Sequence, residues 1–169
     1  LTSDSPGTNG IATICSNATS FNLLDSLNGS PDAGGTWSPV LNSGTNVFDP
    51  SIDTAGTYTY SVIDCEGNTI SADVVVTINP TPNTGIDGAL VTCPTYPTTD
   101  LFTELGGSPD AGGTWSPALN SGTGVFDPSI DAAGTYTYTV TNSCGTSSND
   151  VVVTITASPD PGNNGTAIL

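Results

Sequence analysis

The sequence predicts an all-β protein made of two tandem sandwich units, and three observations support this prediction. The 169 residues include 20 Gly and 13 Pro, and such a composition favours many turns and few helices. Short runs rich in Thr, Val, Tyr and Ile separate these turns and favour strands. A long segment, Gly29–Tyr60, recurs as Gly107–Tyr138. One folding unit is therefore expected to occur twice.

The two copies of this segment are nearly identical. Of 32 aligned positions, only three differ: Val40/Ala118, Asn46/Gly124 and Thr54/Ala132. The end of the chain, Pro161–Leu169, resembles the beginning, Pro6–Ile14. We therefore divide the chain into repeat 1 (1–79), repeat 2 (80–156) and a linker with the start of a third repeat (157–169). Arrays of this kind mostly supply length or multivalency.

Each repeat contains six or seven short strand candidates. In repeat 1 they are Ile11–Cys15, Phe21–Leu24, Thr36–Ser38, Val47–Phe48, Thr57–Ile63 and Ser71–Ile78. The clearest alternates in polarity, with Tyr58, Tyr60 and Val62 on one face, which predicts a sheet with one buried side. Strands this short, without a helical period, favour a β-sandwich over a parallel β-helix, whose repeats are shorter.

Charge and residue types exclude several functions. The net charge is −16, and the chain has no Lys, Arg or His. Nucleic acids and anionic membranes are therefore not expected as partners, and no apolar run is long enough to insert into a bilayer. Ser and Thr nucleophiles would lack a His or Lys base. We predict that the protein is not an enzyme and needs no cofactor, with calcium as the one open alternative.

Four cysteines occupy equivalent places in the two repeats. They are Cys15, Cys65, Cys93 and Cys144. The spacing has no CxxC motif and the chain has no His, so a zinc site is excluded. We predict one disulfide in each repeat, Cys15–Cys65 and Cys93–Cys144, formed in an oxidising compartment. Buried free thiols are the alternative.

Aspartates also recur at equivalent places in the two repeats. They are Asp32, Asp49 and Asp53 in repeat 1, and Asp110, Asp127 and Asp131 in repeat 2. Clustered carboxylates suggest a calcium site, although the spacing is not that of an EF-hand. The alternative is turn formation, because Asp side chains bond to nearby backbone. Trp37 and Trp115 are expected in the core, with a ligand-stacking role as the alternative.

A family resemblance becomes specific at these residues. The segment Asp53–Tyr58 resembles the tyrosine corner of immunoglobulin-like domains. The string PDAGGTWSP, followed by GVFDPSIDAAGTYTYTV and a VVVTI strand, resembles the Ig-like/PKD-like repeats of very large Bacteroidota surface proteins. SprB-type gliding adhesins belong to that class. The resemblance implies tandem immunoglobulin-like β-sandwich repeats, a location outside the cell at its surface, and type IX secretion.

The leading functional prediction is a structural segment of a cell-surface adhesin or filament. It would act as an extended stalk for surface attachment or gliding, with further copies of the repeat in cis as partners. The proline-containing linkers Asn79–Asn83 and Thr156–Pro161 predict stiff connections.

Two alternative functions stay open. The chain could be a carbohydrate-binding module that contacts surface polysaccharide, or a non-catalytic spacer of a secreted enzyme. Contact with other cell-surface filaments is a further expectation. Since the chain begins at Leu1 without a signal peptide, we interpret it as an internal segment.

Overall fold

The chain folds into two compact units that divide between Thr81 and Pro82. The computed structural model describes residues 4–44, 46–122 and 124–157. The predicted start of a third repeat therefore lies outside the described residues, apart from Ala157. Within the described part of the chain, no helix is long and apolar enough to cross a membrane.

Unit 1 contains a four-stranded sheet and a two-stranded sheet. Its strands are β1 (Gly10–Cys15), β2 (Phe21–Asn22), β3 (Thr36–Ser38), β4 (Val47–Phe48), β5 (Gly56–Ile63) and β6 (Thr69–Asn79). The large sheet has the order β1-β6-β5-β3, and the small sheet pairs β2 with β4. Strands β5 and β6 form an antiparallel hairpin, whereas β1 runs parallel to β6.

Unit 2 repeats this arrangement strand for strand. Its strands are β7 (Gly88–Thr92), β8 (Thr99–Asp100), β9 (Thr114–Ser116), β10 (Val125–Phe126), β11 (Gly134–Asn142) and β12 (Gly145–Ile155). The large sheet has the order β7-β12-β11-β9, and β8 pairs with β10. The parallel pair is now β7 with β12.

The two sheets of each unit pack face to face around an aromatic core. In unit 1, Phe48 on the small sheet meets Tyr58 on the large sheet edge to face, with ring centroids 5.6 Å apart. Tyr58, Tyr60 and Val62 are buried, as the alternation in the sequence predicts. In unit 2, Phe126 and Tyr136 make the equivalent contact at 5.8 Å. Each unit is thus an immunoglobulin-like β-sandwich, and the predicted fold class is confirmed.

One predicted strand is shorter than expected. The segment Phe21–Leu24 forms a strand only over Phe21–Asn22, and a 3-10 helix, η1, follows over Leu23–Ser26. The side chain of Asn22 accepts a hydrogen bond from the backbone N–H of Leu24 at 3.2 Å. This local bond favours a turn over continued strand pairing. In unit 2, Asp100 caps the equivalent helix η2 (Leu101–Glu104).

Candidate functional site

A buried tyrosine hydroxyl joins a loop to the large sheet in each unit. Tyr60 on β5 is fully buried, and its hydroxyl accepts a hydrogen bond from the N–H of Gly35 and donates one to the carbonyl of Asp32, both at 2.8 Å. A Cβ at Gly35 would lie 2.5 Å from the carbonyl oxygen of Ser61. Glycine is therefore required where this loop approaches β5.

Repeat 2 builds the same bridge from the equivalent residues. The hydroxyl of Tyr138 accepts from the N–H of Gly113 at 2.8 Å and donates to the carbonyl of Asp110 at 2.9 Å. The alternation in the sequence predicts that Tyr60 is buried, but it gives no sign of these hydrogen bonds. The paired glycines of the repeated Ala-Gly-Gly segment were the available signal, because glycine often marks close backbone approach.

A buried carboxylate organises the turn beside β4. Asp53 accepts hydrogen bonds from the N–H of Asn42 at 2.6 Å and from the N–H of Asp49 at 2.9 Å, one on each oxygen. Burial opposes ionisation of this carboxyl. Hydrogen bonds from Asp49, Ser43 and Asn42 outweigh that effect and hold the pKa of Asp53 below its usual value of 3.8. The carboxylate is therefore ionised at neutral pH and serves as a backbone acceptor.

The equivalent carboxylate in unit 2 is bound in the same way. Asp131 accepts from the N–H groups of Asn120 at 2.7 Å and Asp127 at 2.9 Å, and from the hydroxyl of Ser121 at 2.8 Å. Burial again opposes ionisation, and these bonds lower the pKa of Asp131. Nearby, burial and the charge of Asp131 raise the pKa of Tyr136, whose hydroxyl donates to the carbonyl of Ala132 at 2.8 Å.

The remaining aspartates of the predicted calcium set also bond to backbone groups. Asp32 accepts from the N–H of Ser5 at 2.7 Å. Asp49, Asp110 and Asp127 bind the N–H groups of Ser51, Asn83 and Ser129, each at 2.9 Å. Among the described residues, no three acidic or other metal-ligating side chains gather in one place. The structure therefore supports turn chemistry for these residues, and calcium binding stays a prediction.

A groove opens beside the tryptophan of each unit. We call it the tryptophan groove. In unit 2 it has a volume of about 440 Å³ and is lined by Phe102, Trp115, Ala118, Leu119 and Gly124, among others. Its counterpart in unit 1 measures about 240 Å³, with Trp37, Val40, Leu41 and Asn46 in its wall.

Two of the three differences between the repeats enlarge this groove in unit 2. Val40 and Asn46 in unit 1 become Ala118 and Gly124 in unit 2. Trp37 is buried, with 7% of its surface exposed, whereas Trp115 is only partly buried. Each indole still packs against a core tyrosine with ring centroids 5.0 Å apart. The core interpretation therefore holds for Trp37, while Trp115 forms a wall of an accessible groove.

The cysteines of each unit lie at opposite ends of one long strand. Cys15 ends β1 and pairs in register with Asn79, the last residue of β6. Cys65 lies in the turn that precedes β6, where the N–H of Asp64 binds the carbonyl of Asn68 at 2.9 Å. Since β6 has 11 residues, its ends are about 33 Å apart. Unit 2 places Cys93 and Cys144 at opposite ends of β12 in the same way.

The predicted disulfides within each repeat are therefore wrong. Bonded cysteines require Cα atoms within about 7 Å, which the two ends of an 11-residue strand cannot meet. The thiols of Cys65 and Cys93 are free, while Cys15 and Cys144 are disulfide-bonded. The prediction rested on the assumption that the strands before Cys15 and Cys65 end on the same side of the sandwich. Because β1 runs parallel to β6, Cys15 instead lies beside the last residue of β6, at the end of the sheet opposite to Cys65.

Comparisons with known proteins give structural likeness alone. No family model matches the chain, and no curated protein matches it. A Dscam1 structure of four N-terminal Ig domains is 14% identical, with 92% of this chain and 47% of that chain covered and a TM-score of 0.43. An I-band fragment from titin is 11% identical, with coverage of 93% and 67% and a TM-score of 0.43. The chain spans about half the length of the Dscam1 fragment.

Proposed function

We propose that the chain is a structural, non-catalytic segment of an extracellular repeat array. The array would form the extended stalk of a cell-surface adhesin or filament. The observation that carries this proposal is the way in which both sides of the linker are bound to their own unit. The N–H of Thr81 binds the hydroxyl of Ser16 in unit 1 at 3.3 Å. The N–H of Asn83 binds Asp110 in unit 2 at 2.9 Å.

We expect such a linker to be stiff. Only Pro82 separates the two bound residues, and its ring fixes φ. The side chain of Asn83 adds bonds to the carbonyls of Gly107 and Ser108, at 3.3 and 3.0 Å. Stiff connections between similar units favour a stalk over a flexible string.

Charge and residue use agree with a structural role. The buried polar side chains of the repeated segment form hydrogen bonds within their own sandwich. Examples are the hydroxyl of Tyr60 and the carboxylates of Asp53 and Asp131. A charge of −16 without opposing charge would keep neighbouring stalks apart. The resemblance to gliding adhesins of Bacteroidota supports surface attachment or gliding as the role, and type IX secretion as the export route.

Immunoelectron microscopy on cells that make the protein tests this proposal. An antibody raised against Gly107–Tyr138 should label the cell exterior, at a distance from the outer membrane that falls when repeats are deleted from the gene. Cells that lack the gene provide the background. Label inside the cell, or at a distance that does not depend on repeat number, would contradict the stalk.

A second candidate function is carbohydrate binding in the tryptophan groove of unit 2. Trp115 and Phe102 offer aromatic surface there, and the carboxylate of Asp100 offers a hydrogen-bond acceptor for sugar hydroxyls. Fluorescence titration with oligosaccharides, using Trp37→Phe so that Trp115 is the one tryptophan, tests it. The paired change Ala118→Val and Gly124→Asn places the larger side chains of unit 1 in this groove and should abolish a genuine signal. A titration that is flat, or unaffected by this change, would remove the candidate.

A further inference from the structure

The indole N–H group of the tryptophan has different surroundings in the two grooves. In unit 1, Nε1 of Trp37 is buried and has no hydrogen-bond partner among the described residues. In unit 2, the same edge of Trp115 faces Gly124, where a Cβ atom would lie 3.0 Å from Nε1 and 3.2 Å from Cδ1. Because glycine has no Cβ, this edge of Trp115 is left uncovered on that side. The N–H of Trp115 is therefore a donor that a molecule in the groove can use.

A carboxylate oxygen supplies an acceptor in the same groove. Asp100 lines the groove of unit 2, and its Oδ1 accepts a hydrogen bond from the N–H of Phe102 at 3.0 Å. This bond orients the carboxylate, and no described residue donates to Oδ2. A hydroxyl of a bound molecule can donate to Oδ2, and a hydrogen bond to an ionised acceptor is roughly twice as strong as one between neutral groups.

The aromatic rings of this groove are held in place by a shared neighbour. Trp115 packs against Tyr138 with ring centroids 5.0 Å apart, and Phe102 meets the same tyrosine edge to face at 5.4 Å. The groove volume of about 440 Å³ lies in the range of small-ligand sites. The groove thus combines a donor, an acceptor and fixed apolar surface.

Four positions distinguish this groove from its counterpart in unit 1. Unit 2 has Asp100, Phe102, Ala118 and Gly124 where unit 1 has Asn22, Leu24, Val40 and Asn46. Unit 1 therefore lacks both the carboxylate and the phenyl ring. Larger side chains also line its groove at positions 40 and 46, next to an indole N–H that is buried.

Charge restricts the ligands that suit the groove of unit 2. The chain has a net charge of −16 and no Lys or Arg, so an acidic sugar would be repelled. A quaternary ammonium group suits aromatic rings and a carboxylate, but it offers no acceptor to the N–H of Trp115. The hydroxyls of a neutral sugar both donate and accept. A neutral sugar therefore matches the N–H of Trp115 and the carboxylate of Asp100 together.

We propose that the groove of unit 2 binds a neutral sugar residue, with the N–H of Trp115 donating to a sugar oxygen and Oδ2 of Asp100 accepting from a sugar hydroxyl. Position 124 determines this specificity, because glycine there, at φ +77°, leaves the indole edge open. The groove of unit 1 does not bind the same ligand. This inference rests on the carbohydrate-binding candidate above and is independent of the stalk.

Proton–nitrogen correlation NMR of the full chain tests the proposal, because two tryptophans give two indole N–H signals. Trp37→Phe assigns them. Cellohexaose, laminarihexaose and mannohexaose are the neutral probes, with trigalacturonate as the anion and choline as the cation. We expect at least one neutral probe to shift the Trp115 signal saturably and to leave the Trp37 signal in place. A response to choline or trigalacturonate but to no neutral probe would overturn the proposal.

Substitutions test the two hydrogen-bonding groups. Gly124→Asn should remove the response of Trp115. Ala132→Thr is the matched control, because it exchanges the third position that differs between the repeats and does not line the groove. Asp100→Asn keeps the type of cap that Asn22 provides in unit 1 and should weaken binding about tenfold, through the loss of one charge-assisted hydrogen bond. Full binding by Gly124→Asn would contradict the role of position 124.

Calorimetry on the same samples separates this inference from the candidate function on which it rests. Heat of binding without a shift of the Trp115 signal would retain carbohydrate binding and reject the indole N–H as its donor. Absence of heat with every neutral probe would reject both. Neither result bears on the stalk.

Discussion

The hydroxyl of Tyr60 accepts a hydrogen bond from the backbone N–H of Gly35 at 2.8 Å, and this contact fixes a loop of unit 1 to its large sheet. The same hydroxyl donates to the carbonyl of Asp32. One side chain thus provides the hydrogen-bond partner for two backbone groups, the N–H of Gly35 and the carbonyl of Asp32. Without this hydroxyl, both groups would lose that partner where the loop packs on β5. Burying a backbone group without a hydrogen-bond partner destabilises the folded state. We therefore expect the hydroxyl of Tyr60 to contribute to the free energy of unfolding.

We expect Tyr60→Phe to lower the free energy of unfolding by about 1–3 kcal/mol, because both backbone groups lose their partner. The benzene ring and its contact with Trp37 are retained, so the loss reports the hydroxyl. Tyr96→Phe is the matched control, since Tyr96 is 60% exposed. Urea unfolding followed by tryptophan fluorescence measures both changes. Equal changes in the free energy of unfolding for the two substitutions would show that the hydrogen bonds of the Tyr60 hydroxyl do not stabilise the unit.

The close approach of Gly35 gives a second prediction. An alanine Cβ there would lie 2.5 Å from the carbonyl oxygen of Ser61 and 2.6 Å from Cζ of Tyr60. We expect Gly35→Ala to destabilise unit 1 by about 1–3 kcal/mol through forced displacement of packed atoms. Gly106→Ala is the control, because its Cβ would meet Ile86 at 3.4 Å, an ordinary contact. A stable Gly35→Ala protein would mean that the loop can move away without cost.

The buried carboxylate of Asp53 should make stability depend on pH. Its pKa is lowered in the folded protein, so its contribution is present above the usual value of 3.8 and is lost as the pH falls through the folded-state pKa. Asp53→Asn places an amide NH₂ where one oxygen now accepts a backbone N–H. We expect a loss of about 1–3 kcal/mol at pH 7.

The difference between Asp53→Asn and the unsubstituted chain should therefore shrink below about pH 4. Thermal unfolding at a series of pH values, from 7 to about 2.5, measures it. Asp25→Asn, at an exposed position, corrects for the general effect of removing one negative charge from an acidic chain. A difference that does not change with pH would contradict the role of the ionised carboxylate.

The groove predicts that the two tryptophans differ in accessibility. With Trp37→Phe, the fluorescence of Trp115 should be quenched more strongly by acrylamide than that of Trp37 in the Trp115→Phe chain. The reason is that Ala118 and Gly124 leave the indole of Trp115 less covered. Ala118→Val with Gly124→Asn should bring the quenching of Trp115 close to that of Trp37. Equal quenching in the two single-tryptophan chains would refute the difference between the grooves.

Local patterns of the sequence were enough to predict the strands and the core. The alternation through Tyr58, Tyr60 and Val62 reports directly which face is buried, and the segments Thr36–Ser38 and Val47–Phe48 form strands with the predicted bounds. These features depend on side chains a few residues apart. The repeat also showed that a second unit would follow the first.

Features that depend on how strands pair were not predictable in this way. The disulfide prediction failed because residue spacing does not tell whether β1 runs parallel or antiparallel to β6, and the direction decides where Cys15 lies. The tryptophan groove was missed for a related reason. Positions 40 and 46 were seen to differ between repeats, but only the fold brings them together beside Trp37.

The central claim is that the repeats form a stiff, extended stalk, and small-angle X-ray scattering tests it most directly. Chains of two, four and six repeats, oxidised and at moderate salt, should be compared as monomers. Each long strand spans about 33 Å, so the maximum dimension should increase by at least a similar amount with every added repeat. We predict a linear increase with repeat number. Growth close to the square root of repeat number would show a flexible string and contradict the stalk.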